Sequence, residues 1–288
     1  MIVVDGIEAL REHTSDTLCV LATPEDRELA DDASTALGLK LHTAHPAPRR
    51  PMAAVVDDQI SLVLVILDED REQHTLRLHA RDRGLLVVGD DKALAAVKAG
   101  LPVDSDDTWS VLVGLVLIVA RRCEEALDEI DERCQELETQ AIGYASSPQR
   151  RSMGRLRAEL FRIGETQVAQ KNLLSADEEL AQSLGEDHQR LLARAETAFG
   201  ANHSMTTRLY AMLGDVLNEQ DSVVSERLTL VATIFLPLTL ATGFFGMNFQ
   251  WMLDRLDALP AFIVFGLAVP GLLTVATLFF IRRLTRSS

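Results

Sequence analysis

The sequence predicts an α/β N-terminal domain followed by long helices and two C-terminal transmembrane helices. Three observations carry this. Short β-branched runs are confined to about the first 103 residues, long helical patterns replace them from residue 104 onward, and two charge-free runs lie near the C-terminus. Chains alternating strand and helix patterns pack as layered α/β domains. Charge-free runs of about 20 residues match the thickness of a bilayer's hydrocarbon core.

The first region, 1–103, switches between two periods. Leu18–Ala22, Met52–Val56, Leu62–Leu67, Leu76–Ala80 and Leu85–Val88 are short apolar runs bounded by turn or charged residues. Thr75 to Arg81 alternates apolar and polar, as a half-buried strand does. Pro24–Leu37 and Asp91–Ala99 have the helical period. His42 and His45 fall in a Pro-rich stretch, a loop rather than a metal site.

The second region, 104–221, is helical. Asp106–Ile142 is one long pattern, Ser146-Ser147-Pro148 breaks it, and Ser152–Leu174 forms the next. Ser175, with Glu178 three residues on, has the form of a capping box opening a short helix. Trp109 to Ala120 is strongly apolar, but about twelve residues cannot span a bilayer and the run continues into charge, so it predicts a buried core helix. From about Asn202 to Gly246 the helical pattern meets no proline until Pro237. A helix of about 45 residues measures roughly 67 Å, far more than a bilayer needs. It would be half stalk and half membrane span.

The membrane segments follow. No charge lies between Arg227 and Asp254, nor between Ala258 and Ile281. The boundaries expected are 222–248 for the stalk end and first span, 249–257 for an outer loop, 258–281 for the second span and 282–288 for a basic tail. Arg282, Arg283 and Arg286 carry no acid among them, so the positive-inside rule puts the tail in the cytoplasm. With two spans, the long N-terminal part is then cytoplasmic too, and the chain belongs to an inner (plasma) membrane. The first residues lack the basic start and apolar run of a secretory signal.

Within the first span a narrow seam repeats every 3.5 residues. Ser222, Thr229, Leu236 and Gly243 form one row, and Ser225, Ala232, Thr239 and Gly246 the other. All but Leu236 are small or hydroxylic. The pattern fits either a small-residue contact between membrane helices or the wall of a water-filled channel, in which Leu236 would be the hydrophobic constriction.

Composition excludes some classes. The formal charge of −15, from 28 Lys+Arg against 43 Asp+Glu, opposes nucleic-acid binding. It suits a protein that meets cations, and equally a solubilising surface. Cys19, Cys123 and Cys134 have no zinc-site spacing and read as reduced thiols. No phosphate loop, nucleophile–base pair or metal-ligand spacing points to an enzyme.

Gly246-Met247-Asn248-Phe249 ends the first span. Together with Leu228-Thr229, Ile234-Phe235-Leu236-Pro237-Leu238-Thr239 and Thr242-Gly243, it resembles the CorA magnesium transporter family, closely over residues 222–286 and only in architecture upstream. The resemblance implies a funnel-shaped homopentamer in membrane lipid. It implies a selectivity ring of Gly246, Met247 and Asn248 that holds the ion through its waters, and a pore lined by Ser222, Ser225, Thr229, Ala232, Leu236, Thr239 and Gly243. Arg282, Arg283 and Arg286 would form a basic collar. Mg²⁺ would be both the transported and the regulatory ion, with Co²⁺ or Ni²⁺ as passengers and with Asp187, or the cluster Asp177, Glu178 and Glu179, as regulatory ligands. The chain departs from the family at Ser222, Ser225 and Glu226, and its outer loop, Gln250 to Asp254, is less acidic. A zinc-transporting branch, or a two-span sensor or scaffold that passes no ion, are the alternatives.

Overall fold

The computed structural model describes residues 1–13, 17–41, 50–101, 107–140, 145–176, 178–245, 260, 263–272, 274–276 and 279. The chain divides into two compact units. One comprises Met1–Ile142 with Ser146–Asp215, the other Gly143–Ala145 with Val216–Ser288.

The first unit is built on a six-stranded sheet. Its strands are β1 (Ile2–Val4), β2 (Leu18–Ala22), β3 (Met52–Val56), β4 (Gln59–Leu67), β5 (Gln73–Arg81) and β6 (Gly84–Val88). They lie side by side in the order β1-β2-β6-β5-β4-β3. β1, β2 and β6 run parallel, and β6 to β3 form an antiparallel meander. Helices α1 (Ile7–Glu12) and α2 (Arg27–Leu37) intervene, and α3 (Asp91–Lys98), α4 (Thr108–Gln140), α5 (Ser147–Leu173), α6 (Glu179–Gln182) and α7 (Glu186–Phe245) follow.

Alternation along the parallel strands separates two cores, because successive side chains point to opposite faces. Leu18, Val20 and Ala22 with Leu86 and Val88 pack on Leu29, Ala33 and Leu37 of α2. Cys19 and Leu21, with Leu85, Val87 and the inward rows of β4 and β5, pack on α3, α4 and the first turns of α7 through Leu192, Ala195 and Phe199. The run Trp109–Ala120 of α4 lies in this second core, with Val113 and Leu115 at 0 % exposure, as its length predicts.

Two turns have sequence-specific causes. Asp57 and Asp58 join β3 to β4 with φ 49° and 61°, the type I′ geometry of a two-residue hairpin, in which Asp is among the few non-glycine residues at ease. At Gly84 (φ +149°) a Cβ would stand 2.2 Å from the Leu18 carbonyl oxygen, so only glycine lets β6 approach β2.

β3 pairs with β4 only as far as Val63. Beyond it the outer edge of β4 needs another partner. Gln170 of α5 supplies one: its Oε1 accepts the Val65 N–H at 2.7 Å.

The elements differ from the sequence reading mainly at their ends. β1 and α1 are too short to stand out as patterns. α7 begins at Glu186, well before Asn202, and runs for 60 residues as one helix. The capping box at Ser175 does not form. Glu178 caps α6 without a side-chain hydrogen bond, and its N–H donates to the Ser175 carbonyl at 3.0 Å, so Ser175 opens a turn one step earlier. His42 and His45 lie outside the described residues.

Candidate ion pathway and charged clusters

In the second unit, α7 carries an 18-residue window apolar enough to cross a membrane, and none of that window is buried. It is the one such helix among the described residues. Pro237 lies inside it. Proline there removes the hydrogen bond to the Thr233 carbonyl.

Ser222, Ser225, Thr229, Ala232, Leu236, Thr239 and Gly243 are all exposed, with Leu236 at 75 %. Leu230, Ile234 and Pro237 are half-buried within the unit. Each of these covered residues lies two positions before a seam residue (Ala232, Leu236, Thr239), about 200° round a helix that turns about 100° per residue. The seam therefore occupies the side that its own protomer leaves open. Leu228, Val231 and Phe235, at 65 %, 51 % and 62 % exposure, form an adjoining bulky face.

The threonine hydroxyls on α7 are locally committed. Thr229 Oγ1 donates to the Ser225 carbonyl at 2.9 Å and Thr239 Oγ1 to the Phe235 carbonyl at 2.8 Å. With its proton turned inward, each hydroxyl presents only lone pairs outward. At these two positions the helix accepts hydrogen bonds and donates none.

Gly246, Met247 and Asn248, with Arg282, Arg283, Arg286 and Asp177, lie outside the described residues. Asp187 stands in the first turn of α7 and is 88 % exposed, paired with Arg190 at 3.1 Å. A carboxylate there also suits the positive end of the helix dipole. Glu178 and Glu179 are exposed at the start of α6. Among the described residues, the one cluster with metal-ligand spacing does not include Asp187, Glu178 or Glu179.

Two clusters were not foreseen from the sequence. At the start of α7, His188 Nε2 lies 2.6 Å from Asp107 Oδ2 and 3.2 Å from Ser110 Oγ. Asp107 Oδ2 also accepts the Ser110 N–H at 2.9 Å, so one carboxylate caps α4 and holds α7. The second cluster gathers around the β4–β5 turn. Asp68, Glu72 and His74 offer ligand atoms within 4.8 Å of one another. The centre is already cationic, however: Lys92 Nζ sits 2.8 Å from Asp68 and 3.3 Å from both Asp70 and Glu72. Burial raises the Asp68 pKa, but Lys92, the Glu72 N–H and His74 outweigh it and hold the carboxyl down at about 2. The charged stretch Asp68 to Glu72 was the only visible signal in the sequence. Its partners arrive from β5 and α3.

Known proteins share this architecture. The complete CorA magnesium transporter of Methanocaldococcus jannaschii superposes with a TM-score of 0.69 at 14 % identity, covering 92 % of this chain and 90 % of that one. The soluble domain of the same protein gives 0.61 at 13 % identity, over 71 % of this chain and 88 % of that one. A zinc transport protein, ZntB of Pectobacterium atrosepticum, is 24 % identical over 199 residues, 66 % of this chain. The match spans 58 % of that relative's length. The family model described as CorA-like Mg²⁺ transporter protein matches residues 24–283. An α/β domain leading into a long helix with an apolar, unburied end, together with a family match over nearly the whole length, makes this chain a member of the CorA-like Mg²⁺ transporter family.

Proposed function

We propose that the chain is one protomer of a homopentameric, funnel-shaped divalent-cation channel driven by membrane potential, with Mg²⁺ as its main substrate and Co²⁺ or Ni²⁺ as passengers. The observation that carries this reading is the exposed seam of α7 on the side opposite the face covered within the protomer. Copies arranged around an axis would place the seam inward and Leu228, Val231 and Phe235 towards neighbours or lipid.

The seam's chemistry fits a hydrated cation. Mg²⁺ keeps its waters tightly, and those waters point their hydrogens outward. Thr229 and Thr239, with only lone pairs on offer, accept from such a shell. They are poor partners for an anion's shell, which needs donors. Leu236 would form the constriction. The outer ring would be Gly246, Met247 and Asn248, the collar Arg282, Arg283 and Arg286, and the second span 258–281, with both termini cytoplasmic at an inner membrane. A divalent ion gains about 4.6 kcal/mol per 100 mV of inside-negative potential, from about 2.3 per charge, so no nucleotide is required. Regulation by cytoplasmic Mg²⁺ would use Asp187, or Asp177, Glu178 and Glu179, in concert with a neighbouring protomer.

A second reading, zinc as the substrate, is favoured by the 24 % identity to a zinc transport protein. Purified protein in liposomes loaded with an ion-sensitive dye separates the two. Mg²⁺ influx that rises with inside-negative potential, and that falls at least tenfold in Asn248→Ala, supports the channel. Zn²⁺ influx without Mg²⁺ influx selects the zinc reading, and no flux of either ion leaves a two-span sensor or scaffold.

A further inference from the structure

His74 touches a carboxylate with each ring nitrogen. Nδ1 lies 2.7 Å from Asp90 Oδ2 and Nε2 lies 3.1 Å from Asp68 Oδ2. The histidine side chain is 13 % exposed and Asp68 only 7 %. A neutral imidazole has one N–H, whereas an ionised carboxylate has none. Both contacts are hydrogen bonds only when the ring carries two protons. Without the second proton, a ring lone pair would face a carboxylate lone pair inside a half-buried cluster.

The other oxygens of the two acids hold the surrounding backbone. Asp90 Oδ1 accepts the Ala93 N–H at 2.9 Å and caps α3. Asp68 Oδ1 accepts the Glu72 N–H at 2.8 Å and closes the β4–β5 turn. The same turn carries Arg71, at φ 62°. Arg71 Nε reaches Glu159 of α5 at 3.0 Å, and its Nη1 reaches Glu129 of α4 at 3.4 Å. One five-residue turn thus joins the sheet to three helices.

We propose that His74 is a proton-binding site whose occupied form clamps the Asp68–Glu72 turn to the N-terminus of α3 and, through Arg71, sets the sheet against α4 and α5. The charged groups facing the ring are Asp68, Asp70 and Glu72 from the turn and Asp90 and Lys92 from the α3 end. Burial alone lowers the His74 pKa; hydrogen bonds and charge from Asp90 and Asp68 outweigh it, and the net displacement is upward from 6.5. Asp90, like Asp68, is displaced downward, so the shared proton belongs to the ring. A group whose folded pKa is raised contributes its full stability below its unfolded pKa and loses it as pH rises through the folded value. The clamp is therefore fully closed below the ring's unfolded value and opens as pH rises through the higher folded one. This site does not depend on which ion, if any, the membrane helices pass.

The test uses the full chain in detergent micelles. Histidine C2 hydrogen–deuterium exchange, read by mass spectrometry, titrates each ring separately. The His74 midpoint is expected above 6.5, with buried His79 well below it as an internal contrast. Asp90→Asn keeps a good helix cap while removing the charge, and should lower the His74 midpoint by about one pH unit or more. Backbone amide exchange over 91–98, corrected for intrinsic rates, should rise between pH 6 and pH 8.5 in wild type and lose that dependence in His74→Gln. A His74 midpoint at or below 6.5, a midpoint unmoved by Asp90→Asn, or identical pH dependence in wild type and His74→Gln would overturn the proposal.

Discussion

Two apolar helical stretches of this chain have similar composition and opposite fates. In α4, residues 111–120 vanish between the sheet and the neighbouring helices, with Val113 and Leu115 at 0 % exposure. In α7, the window around Leu228–Leu240 buries none of its large side chains and leaves several in the open, with Phe235 at 62 %, Leu236 at 75 % and Leu240 at 74 %. Hydrophobicity alone does not separate them. Length and periodicity do: the α4 run stops after about three turns at Arg121, while the α7 run continues for the depth of a bilayer and sorts its small residues to one side. A folded core covers the first. The second leaves apolar surface that a soluble monomer rarely shows.

The strongest way to break this comparison is to place a charge in each stretch. Val113→Asp buries an unpaired carboxylate among packed side chains. It should cost more than about 3 kcal/mol and abolish cooperative melting of the sheet unit by circular dichroism. Phe235→Arg should leave that melt unchanged. Its effect should be on insertion, at roughly 2.5–3.5 kcal/mol near the middle of a span, read as loss of protein from the membrane fraction.

Acid should discriminate the sheet unit from the apolar end of α7 too. Burial, aided by Arg77, pushes the His79 pKa down to about 4. Stability that depends on the neutral ring is present above the unfolded value and falls as pH drops from about 6.5 towards 4. The loss is of order 3 kcal/mol if the burial is fully expressed. Melts at pH 7 and pH 4.5 should therefore differ, and His79→Gln should narrow the gap. Between Arg227 and Asp254 there is no titratable side chain to respond.

Smaller effects sharpen the picture. Gln170→Leu strands the Val65 N–H at the edge of β4 and should destabilise the sheet unit by about 1–3 kcal/mol in urea unfolding. Asp187→Asn touches only a solvent-exposed pair with Arg190 and should stay within about 0.5 kcal/mol in the same assay. Any larger change in its Mg²⁺-dependent flux would then be regulatory rather than structural.

Much of the fold was legible because burial leaves a period. Leu18–Ala22 and Met52–Val56 read as strands and fold as such, and the buried destiny of Trp109–Ala120 followed from its length. Three-residue β1 left no pattern to detect, and the early start of α7 was hidden because Glu186 to Ala201 covers the sheet with only a few contacts, such as Leu192 and Phe199. The His74 cluster was illegible for a different reason. Asp68, His74 and Asp90 meet only because a hairpin register sets Ile66 opposite His74 and β6 delivers the α3 cap beside it. Spacing along the chain carries no trace of that. On α7, by contrast, the seven-residue spacing of the seam is visible in the sequence itself, whereas the face covered at Leu230, Ile234 and Pro237 emerges only from the fold.

The three thiols offer a practical consequence. Cys19, Cys123 and Cys134 are 0 %, 1 % and 0 % exposed, and burial pushes their pKa values up to about 12, 12 and 11. Thiolates, not thiols, attack alkylating reagents, so the native protein is a chemically silent background. A single cysteine introduced as Ala232→Cys or Thr239→Cys would be the one reactive sulfur in the molecule. Its labelling rate by a membrane-impermeant maleimide, compared with that of Val231→Cys, reports directly which flank of α7 water touches.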